Sequence, residues 1–405
     1  MRKVARIAAM NRTTPVTFDR EAALEAMGRD VVDVLVVGGG ITGVSVALDA
    51  ATRGLSVVLV ERDDFASGTS SASSKMIHGG LRYVEQKQYR LVIHSLLERQ
   101  RLYERAPHLV SRLPFLFPVH REGGLFSPAR ARAYDGALWL YDLFGGWRIR
   151  KLHRMLSPDE TLTHCPGLRR EGLAGGLLYY DTRTDDARLT LAVARTAAAH
   201  GALLANHCEL TGLGPRVDGV RVAHLAVRGT DGTVNCQSVR ARVVVNATGV
   251  WSDQVDTIAD EGHDSRIRPA KGVHVVVPWE KVRAQSTLVF PMLAGVRGEG
   301  GTGFVVRWGD YCYIGTTDTP YEGDLADPRC ERTEAQLLLE SLNAAMDAEP
   351  VTVEDVTGTW AGLRPLIDTG KGSTAELSRT HEITESDGVV TVAGGKLTEP
   401  VPVRI

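Results

Sequence analysis

The chain has 405 residues, 43% hydrophobic and 24% charged, which is enough apolar material for two domains with buried cores and excludes a disordered chain. A formal net charge of −2 argues against a protein whose main partner is nucleic acid. Five cysteines (Cys165, Cys208, Cys236, Cys312 and Cys330) lie far apart with no C-x-x-C pair, so neither a metal clip nor a disulfide frame is expected, and a reducing compartment suits them.

Residues 1–29 read as a polar, Arg-containing extension. The first ten carry positive charge without a long apolar core, so no secretory signal is expected. No run approaches the roughly 18 apolar residues of a spanning helix, so the chain reads as soluble or lying on a membrane surface. From Asp33 the sequence Val-Leu-Val-Val predicts a strand buried on both faces. Gly38, Gly40 and Gly43 then fill a G-x-G-x-x-G spacing, an Ala-rich helix follows to about Arg53, and a second apolar strand from Ser56 to Val60 ends in Glu61. A strand, Gly turn, helix and acid-terminated strand in that order predict a dinucleotide site. The backbone of Gly38, Gly39, Gly40, Ile41, Thr42 and Gly43 would line the diphosphate at the helix N-terminus, and Glu61 would accept from a ribose.

After Glu61 and Arg62 comes a loop dense in small hydroxyl residues, including Thr69, Ser70, Ser71 and Ser74 and closing on Lys75. It is either a solvated loop or cap, or a loop whose hydroxyls and N–H groups wrap a diphosphate and ribityl chain. The run Thr69-Ser-Ser-Ala-Ser-Ser-Lys-Met-Ile-His-Gly-Gly-Leu-Arg-Tyr83 closely resembles the signature of the FAD-dependent, aerobic, quinone-linked glycerol-3-phosphate dehydrogenases. The resemblance continues through a long amphipathic helix ending near Ala106, through Pro114 to Pro118, and through Asp185-Asp-Ala-Arg-Leu189, which opens a helix to about His200. Residues 121–156 interleave Arg130, Arg132, Arg148, Arg150, Lys151 and Arg154 with Leu138, Trp139, Leu140, Tyr141, Leu143, Phe144 and Trp147. That stretch can lie on an anionic bilayer, or pack as a helix pair with a solvated basic face.

Strands are predicted at 202–209, 220–228 and 238–246, the last entering Ala247-Thr248-Gly249, small residues that let a turn pass close to a cofactor. Short strands follow at 273–278, 287–291, 303–308 and 311–317 without intervening helices, the pattern of an antiparallel sheet in a second domain. A helix over about 333–348, the Gly362-Leu-Arg364-Pro365 motif, Arg379, and a strand 389–392 running into Gly394-Gly395-Lys396-Leu397-Thr398 complete the match.

The resemblance implies a D-amino-acid-oxidase-like α/β fold, with a discontinuous Rossmann-like FAD-binding domain (30–114, 183–260 and 365–405) and a mostly antiparallel substrate domain (115–182 and 261–364). It implies oxidation of sn-glycerol 3-phosphate to dihydroxyacetone phosphate, the hydride going to flavin N5 and the electrons to a quinone. No second dinucleotide fingerprint appears, so one FAD and no nicotinamide cofactor is expected, with no metal. His274 and His78 are both candidates for the base that takes the hydroxyl proton, histidine titrating near neutrality. Arg82, Arg364 and Arg379 are candidates for the substrate phosphate, their forked donors matching its oxygens. Tyr83 would be a hydroxyl partner, and Lys396 would favour the reduced flavin anion. The family adds peripheral attachment to the cytoplasmic face of the inner membrane, and a homodimer fits it as well.

The match runs from about 30 to 398. Beyond it Pro400 and Pro402 break the helix the family continues with, so the chain is expected to lack that helix and the helical cap domain that follows it. The rival readings are an oxygen-using oxidase of the same substrate, an amino-acid-oxidase-like flavoenzyme, and a shortened FAD-binding protein without turnover.

Overall fold

The structure is a computed structural model that describes residues 18–79, 89–122, 124, 126–143, 151–260, 262–293, 301–368 and 381–395. In chain order it begins with helix α1 (Arg20–Met27), strand β1 (Val31–Val37), α2 (Ile41–Thr52), β2 (Val57–Val60), β3 (Met76–Ile77), α3 (Tyr89–Arg105), β4 (Val110–His120) and α4 (Pro128–Tyr141). Next come β5 (Arg154–Leu156), α5 (Pro158–His164), β6 (Leu173–Thr184), α6 (Asp186–Ala199), β7 (Leu203–Ala205), β8 (Cys208–Leu213), β9 (Arg221–Arg228), β10 (Val234–Asn246) and α7 (Ser252–Ala259). The remainder is β11 (Ile267–Pro278), α8 (Trp279–Val282), β12 (Thr287–Pro291), β13 (Thr302–Trp308), β14 (Tyr311–Gly315), β15 (Thr319–Pro320), α9 (Arg332–Asn343), β16 (Gly358–Ile367), β17 (Glu382–Ser386) and β18 (Val389–Ala393).

Two sheets organise these elements. The first has the order β17-β18-β10-β1-β2-β7, with β9 on β10 and β8 on β9. Its central strands β18, β10, β1, β2 and β7 run parallel. Successive side chains of β1 enter opposite cores. Val34 and Val36 pack with α2 and α6, while Leu35 and Val37 pack with Met27 of α1 and with strands β8 and β9. Burial on both faces is why Val34 to Val37 form an unbroken apolar run.

The second sheet has the order β15-β11-β14-β13-β12-β4-β6-β3, with β16 on β11 and β5 on β6. Its pairings are antiparallel except for β12 against β4. One face packs on α9 through Leu338, Leu339 and Leu342, and the other packs on α3 and α4 through Leu96 and Leu138. The expected two-sheet α/β architecture is the one that forms.

Several elements depart from the sequence reading. Residues 20–27, expected in a polar extension, form a helix that buries Met27 and ties Arg20 to the carbonyls of Asn206 and Arg228. Pairing places β3 and residues 110–114 in the second sheet, although the sequence division puts them with the first. Strands β6 and β17 form where no strand was expected.

Candidate functional site

The turn between β1 and α2 is built for close approach of a ligand backbone. Gly38 has φ +108, and a Cβ there would lie 2.6 Å from the Ala247 carbonyl oxygen, so the β10 turn and the β1 turn touch. A Cβ on Gly43 would lie 1.9 Å from the Gly38 oxygen, so only glycine lets α2 start this close to the strand. The N-cap Gly40 brings no side chain of its own. The first helical amide, Ile41 N, instead donates to Ser70 Oγ at 2.9 Å.

Glu61 stands at the end of β2. Its Oε2 accepts from Gly39 N at 2.6 Å and its Oε1 from Asp63 N at 2.8 Å. Each oxygen keeps a lone pair for a further donor. Burial, the largest influence, raises the Glu61 carboxyl above its ordinary value despite those two bonds. Beside it the Arg62 guanidinium lies 4.9 Å over the Trp251 ring. Ala247 N donates to Val37 O, Thr248 N and Oγ1 bond to Asn246 Oδ1, and Gly249 has φ +62. A glycine cradle, a carboxylate with spare lone pairs and a helix N-terminus fit an adenine dinucleotide.

Residues 69–75 join the two sheets. Thr69 Oγ1 donates to Leu363 O at 2.6 Å, and Ser71 Oγ donates to Gly68 O at 3.3 Å. Ser73 donates twice to Asp186, and Lys75 Nζ lies 2.6 Å from Asp186 Oδ1. Trp360 Nε1 and Tyr313 OH donate to the carbonyls of Ser73 and Ser74. The hydroxyls expected to wrap a diphosphate therefore bond protein groups, and the loop is a clasp across β14 and β16.

His274 sits under that clasp on β11. It is 3% exposed, its Nε2 is 2.9 Å from Ser74 Oγ, and its ring stacks on Trp360 at 4.5 Å and 10°. Its buried Nδ1 has no hydrogen-bond partner among the described residues. Burial, then the Arg364 and Lys75 cations, push its pKa down to about 3. A ring so reluctant to charge is a weak proton acceptor, which favours His78 of the two candidates for that task. His78, at the end of β3, is exposed.

Arg364 lies on β16 opposite Ala270. Its Nη1 is 3.1 Å from Asp318 Oδ1, and its Nη2 donates to Thr316 Oγ1 and Thr317 O. A Cβ on Gly272 would lie 2.4 Å from the guanidinium, so the glycine makes room for it. The side chain is 25% exposed.

The structure thus gathers Ser74, Lys75, Arg364 and Trp360 around His274, and places Gly38 to Gly43, Glu61 and Ala247 to Gly249 at the dinucleotide turn. Gly395, φ +85, follows β18. Arg82, Tyr83, Arg379, Lys396, Leu397 and Thr398 lie outside the described residues. Sequence reasoning missed Trp360, Asp318, Asp186 and Trp251. The only signal for the first was a tryptophan two residues before the Gly-x-Arg-Pro motif. No group of His, Cys, Asp and Glu able to hold a metal occurs among the described residues.

The family model described as FAD dependent oxidoreductase matches residues 33–397. The chain is 43% identical to a glycerol-3-phosphate dehydrogenase of Mycobacterium leprae over 385 residues, covering 94% of this chain and 63% of that protein. It is 36% identical to an aerobic glycerol-3-phosphate dehydrogenase of Staphylococcus haemolyticus, covering 94% of this chain and 67% of that one. The chain therefore spans about two thirds of the length of such relatives. Among solved structures, the glycerol-3-phosphate dehydrogenase of Bacillus halodurans complexed with FAD superposes with TM-score 0.73 at 32% identity, over 94% of this chain and 64% of that one. Glycine oxidase from Geobacillus kaustophilus shares the fold, with TM-score 0.62 at 24% identity over 91% and 90% of the two chains.

Proposed function

The chain belongs to the family of FAD-dependent oxidoreductases, and from that premise we propose that it oxidises sn-glycerol 3-phosphate to dihydroxyacetone phosphate and delivers the electrons to a quinone. The observation that carries the reading is the coexistence, in one chain, of the Gly38–Glu61 dinucleotide cradle and the cation-flanked site at Trp360. The first sheet would hold FAD through Gly38 to Gly43, with Glu61 taking the ribose hydroxyls. The bound FAD supplies the hydride acceptor. The second sheet would hold the substrate.

The chain's own groups then have separate tasks. Arg364 presents forked N–H donors to the phosphate, sharing them with Asp318, and Arg82 and Arg379 are the further cations assigned to it. His78 takes the hydroxyl proton. His274 remains a neutral imidazole that holds Ser74 and packs on Trp360, with its Nδ1 left to meet a ligand group.

A quinone is favoured over oxygen by one surface. Trp139, Leu140, Leu143, Leu152 and Met155 are all exposed near the end of α4 and around β5, with exposed Lys151 and Arg154 among them. An apolar patch edged with cations suits the headgroup layer of an anionic membrane, where a lipid-soluble acceptor resides. No helix among the described residues is long and apolar enough to cross a membrane. The test is turnover with sn-glycerol 3-phosphate, glycerol and glycine, using a quinone analogue and oxygen as competing acceptors. Glycerol 3-phosphate should be the substrate and the quinone the acceptor. Peroxide formation would identify the oxidase, and turnover of glycine alone would overturn the proposal.

A further inference from the structure

His78 is exposed, yet both of its chain neighbours are clamped in the interior. On one side the Ile77 carbonyl accepts from Thr182 Oγ1 at 3.0 Å, and Thr182 is fully buried. On the other side Gly79 N donates to the Tyr141 hydroxyl at 3.0 Å. A Cβ on Gly79 would lie 2.7 Å from that hydroxyl and 2.6 Å from Leu96 Cδ2, so the backbone is pressed against α3 and α4.

The direction of the Tyr141 O–H is not free. Its oxygen lies 2.8 Å from both oxygens of Asp181, which pairs with Arg99. All three side chains are buried in full. As the carboxylate partner of Arg99, Asp181 offers Tyr141 acceptors only. Tyr141 must therefore spend its proton on Asp181, which leaves its lone pair for the Gly79 N–H. Burial, reinforced by Asp181, keeps the phenol far from ionising. A buried ion pair adds little net stability over an apolar replacement; what this pair does here is hold the Tyr141 hydroxyl against both Asp181 oxygens.

We infer that Tyr141, oriented by the Arg99–Asp181 pair, is a positioning residue that fixes the backbone at Gly79, while Thr182 holds Ile77, and so aims the His78 imidazole at the substrate carbinol. The inference rests on His78 being the base, as proposed above.

The experiment compares the full chain, FAD bound, with Tyr141→Phe and with Leu138→Ala, a buried residue of the same helix outside the clamp. In Tyr141→Phe the Gly79 amide should exchange with solvent at least about tenfold faster, its acceptor being gone. Turnover of glycerol 3-phosphate should fall about 10–100-fold, the scale of a misplaced catalytic group, while KM and flavin content stay within about twofold. Leu138→Ala should lower Tm without reproducing the loss of kcat. Unchanged Gly79 exchange, unchanged kcat, or an equal loss of kcat in Leu138→Ala would each overturn the inference. If Tyr141→Phe does not accumulate as folded protein, Asp181→Asn, which releases the hydroxyl from its fixed direction, is read in the same way. If the parent chain turns over no glycerol 3-phosphate, the functional proposal has failed and the exchange measurement still decides whether the clamp exists.

Discussion

Replacing Glu61 by Gln separates what this residue does for the fold from what it does for the cofactor. In the parent its two oxygens each accept one backbone N–H, from Gly39 and from Asp63. A glutamine offers one oxygen and one NH2, so one of those donors loses its partner. If that donor is the buried Gly39 amide, the cost is about 1–3 kcal/mol. Both the free and the loaded protein bear that cost, so it lowers Tm and leaves affinity alone. The cofactor term is the exchange of a charged for a neutral acceptor at the ribose, about 1–2 kcal/mol, or roughly 5–30-fold in FAD affinity. Calorimetric titration of flavin-free protein with FAD reads the second quantity, and thermal unfolding of the same sample reads the first. Acid adds a further signature. Burial holds the free Glu61 carboxyl above its ordinary 4.5, and ribose hydroxyls prefer the ionised form, so FAD affinity should fall as pH drops through that raised value. The fold itself responds in the opposite sense, because a raised carboxyl contributes stability at low pH that is lost as pH climbs through it. In Glu61→Gln both pH dependences should flatten. FAD affinity equal to the parent in both Glu61→Gln and Glu61→Ala would refute the ribose contact.

His274, held neutral with a pKa of about 3, should make the fold sensitive to acid. A depressed folded value contributes stability above the unfolded pKa, so between pH 6.5 and about pH 5 the parent should lose about 2 kcal/mol that His274→Asn does not, as read by urea unfolding at each pH. Arg364→Ala should raise KM for glycerol 3-phosphate at least about tenfold, with FAD affinity within about twofold, in steady-state kinetics and calorimetry. Asp186→Ala removes the buried partner of Lys75 and the acceptor of Ser73, so unfolding free energy should drop about 3–5 kcal/mol and the 69–75 segment should become open to protease; unchanged protection would deny it the role of clasp.

What could be read in advance followed from burial on both faces. The strands β1, β2, β12 and β18 are mostly apolar because each is covered above and below, and their limits lie within two residues of those expected. β6 was hidden because Gly175 and Gly176 interrupt its apolar pattern, Gly175 having φ +140 at the irregular end of its pairing with β4. Most of β17 is exposed and polar, and it is a strand only through its hairpin with β18. α1 buries only Ala23 and Met27, too little to mark a helix within polar sequence. At the site, residues inside compact motifs were legible, but their partners were not. Asp318 meets Arg364 from 46 positions away, Asp186 meets Ser73 from 113, and Trp360 reaches Ser73 from 287. Such pairings are set by the arrangement of the sheets, which no local pattern encodes. They are also what changed the reading of His274, whose burial under the clasp cannot be seen from its motif.

The central claim is that one chain joins an FAD cradle to a site for a phosphorylated secondary alcohol. The most direct measurement is the visible spectrum of the purified protein, reconstituted with FAD, during anaerobic titration with sn-glycerol 3-phosphate. A protein that binds one FAD and loses its flavin absorbance on adding this substrate, but not on adding glycine, is the result predicted here. A folded protein that takes up no FAD, or a bound flavin that stays oxidised under excess glycerol 3-phosphate, would contradict it.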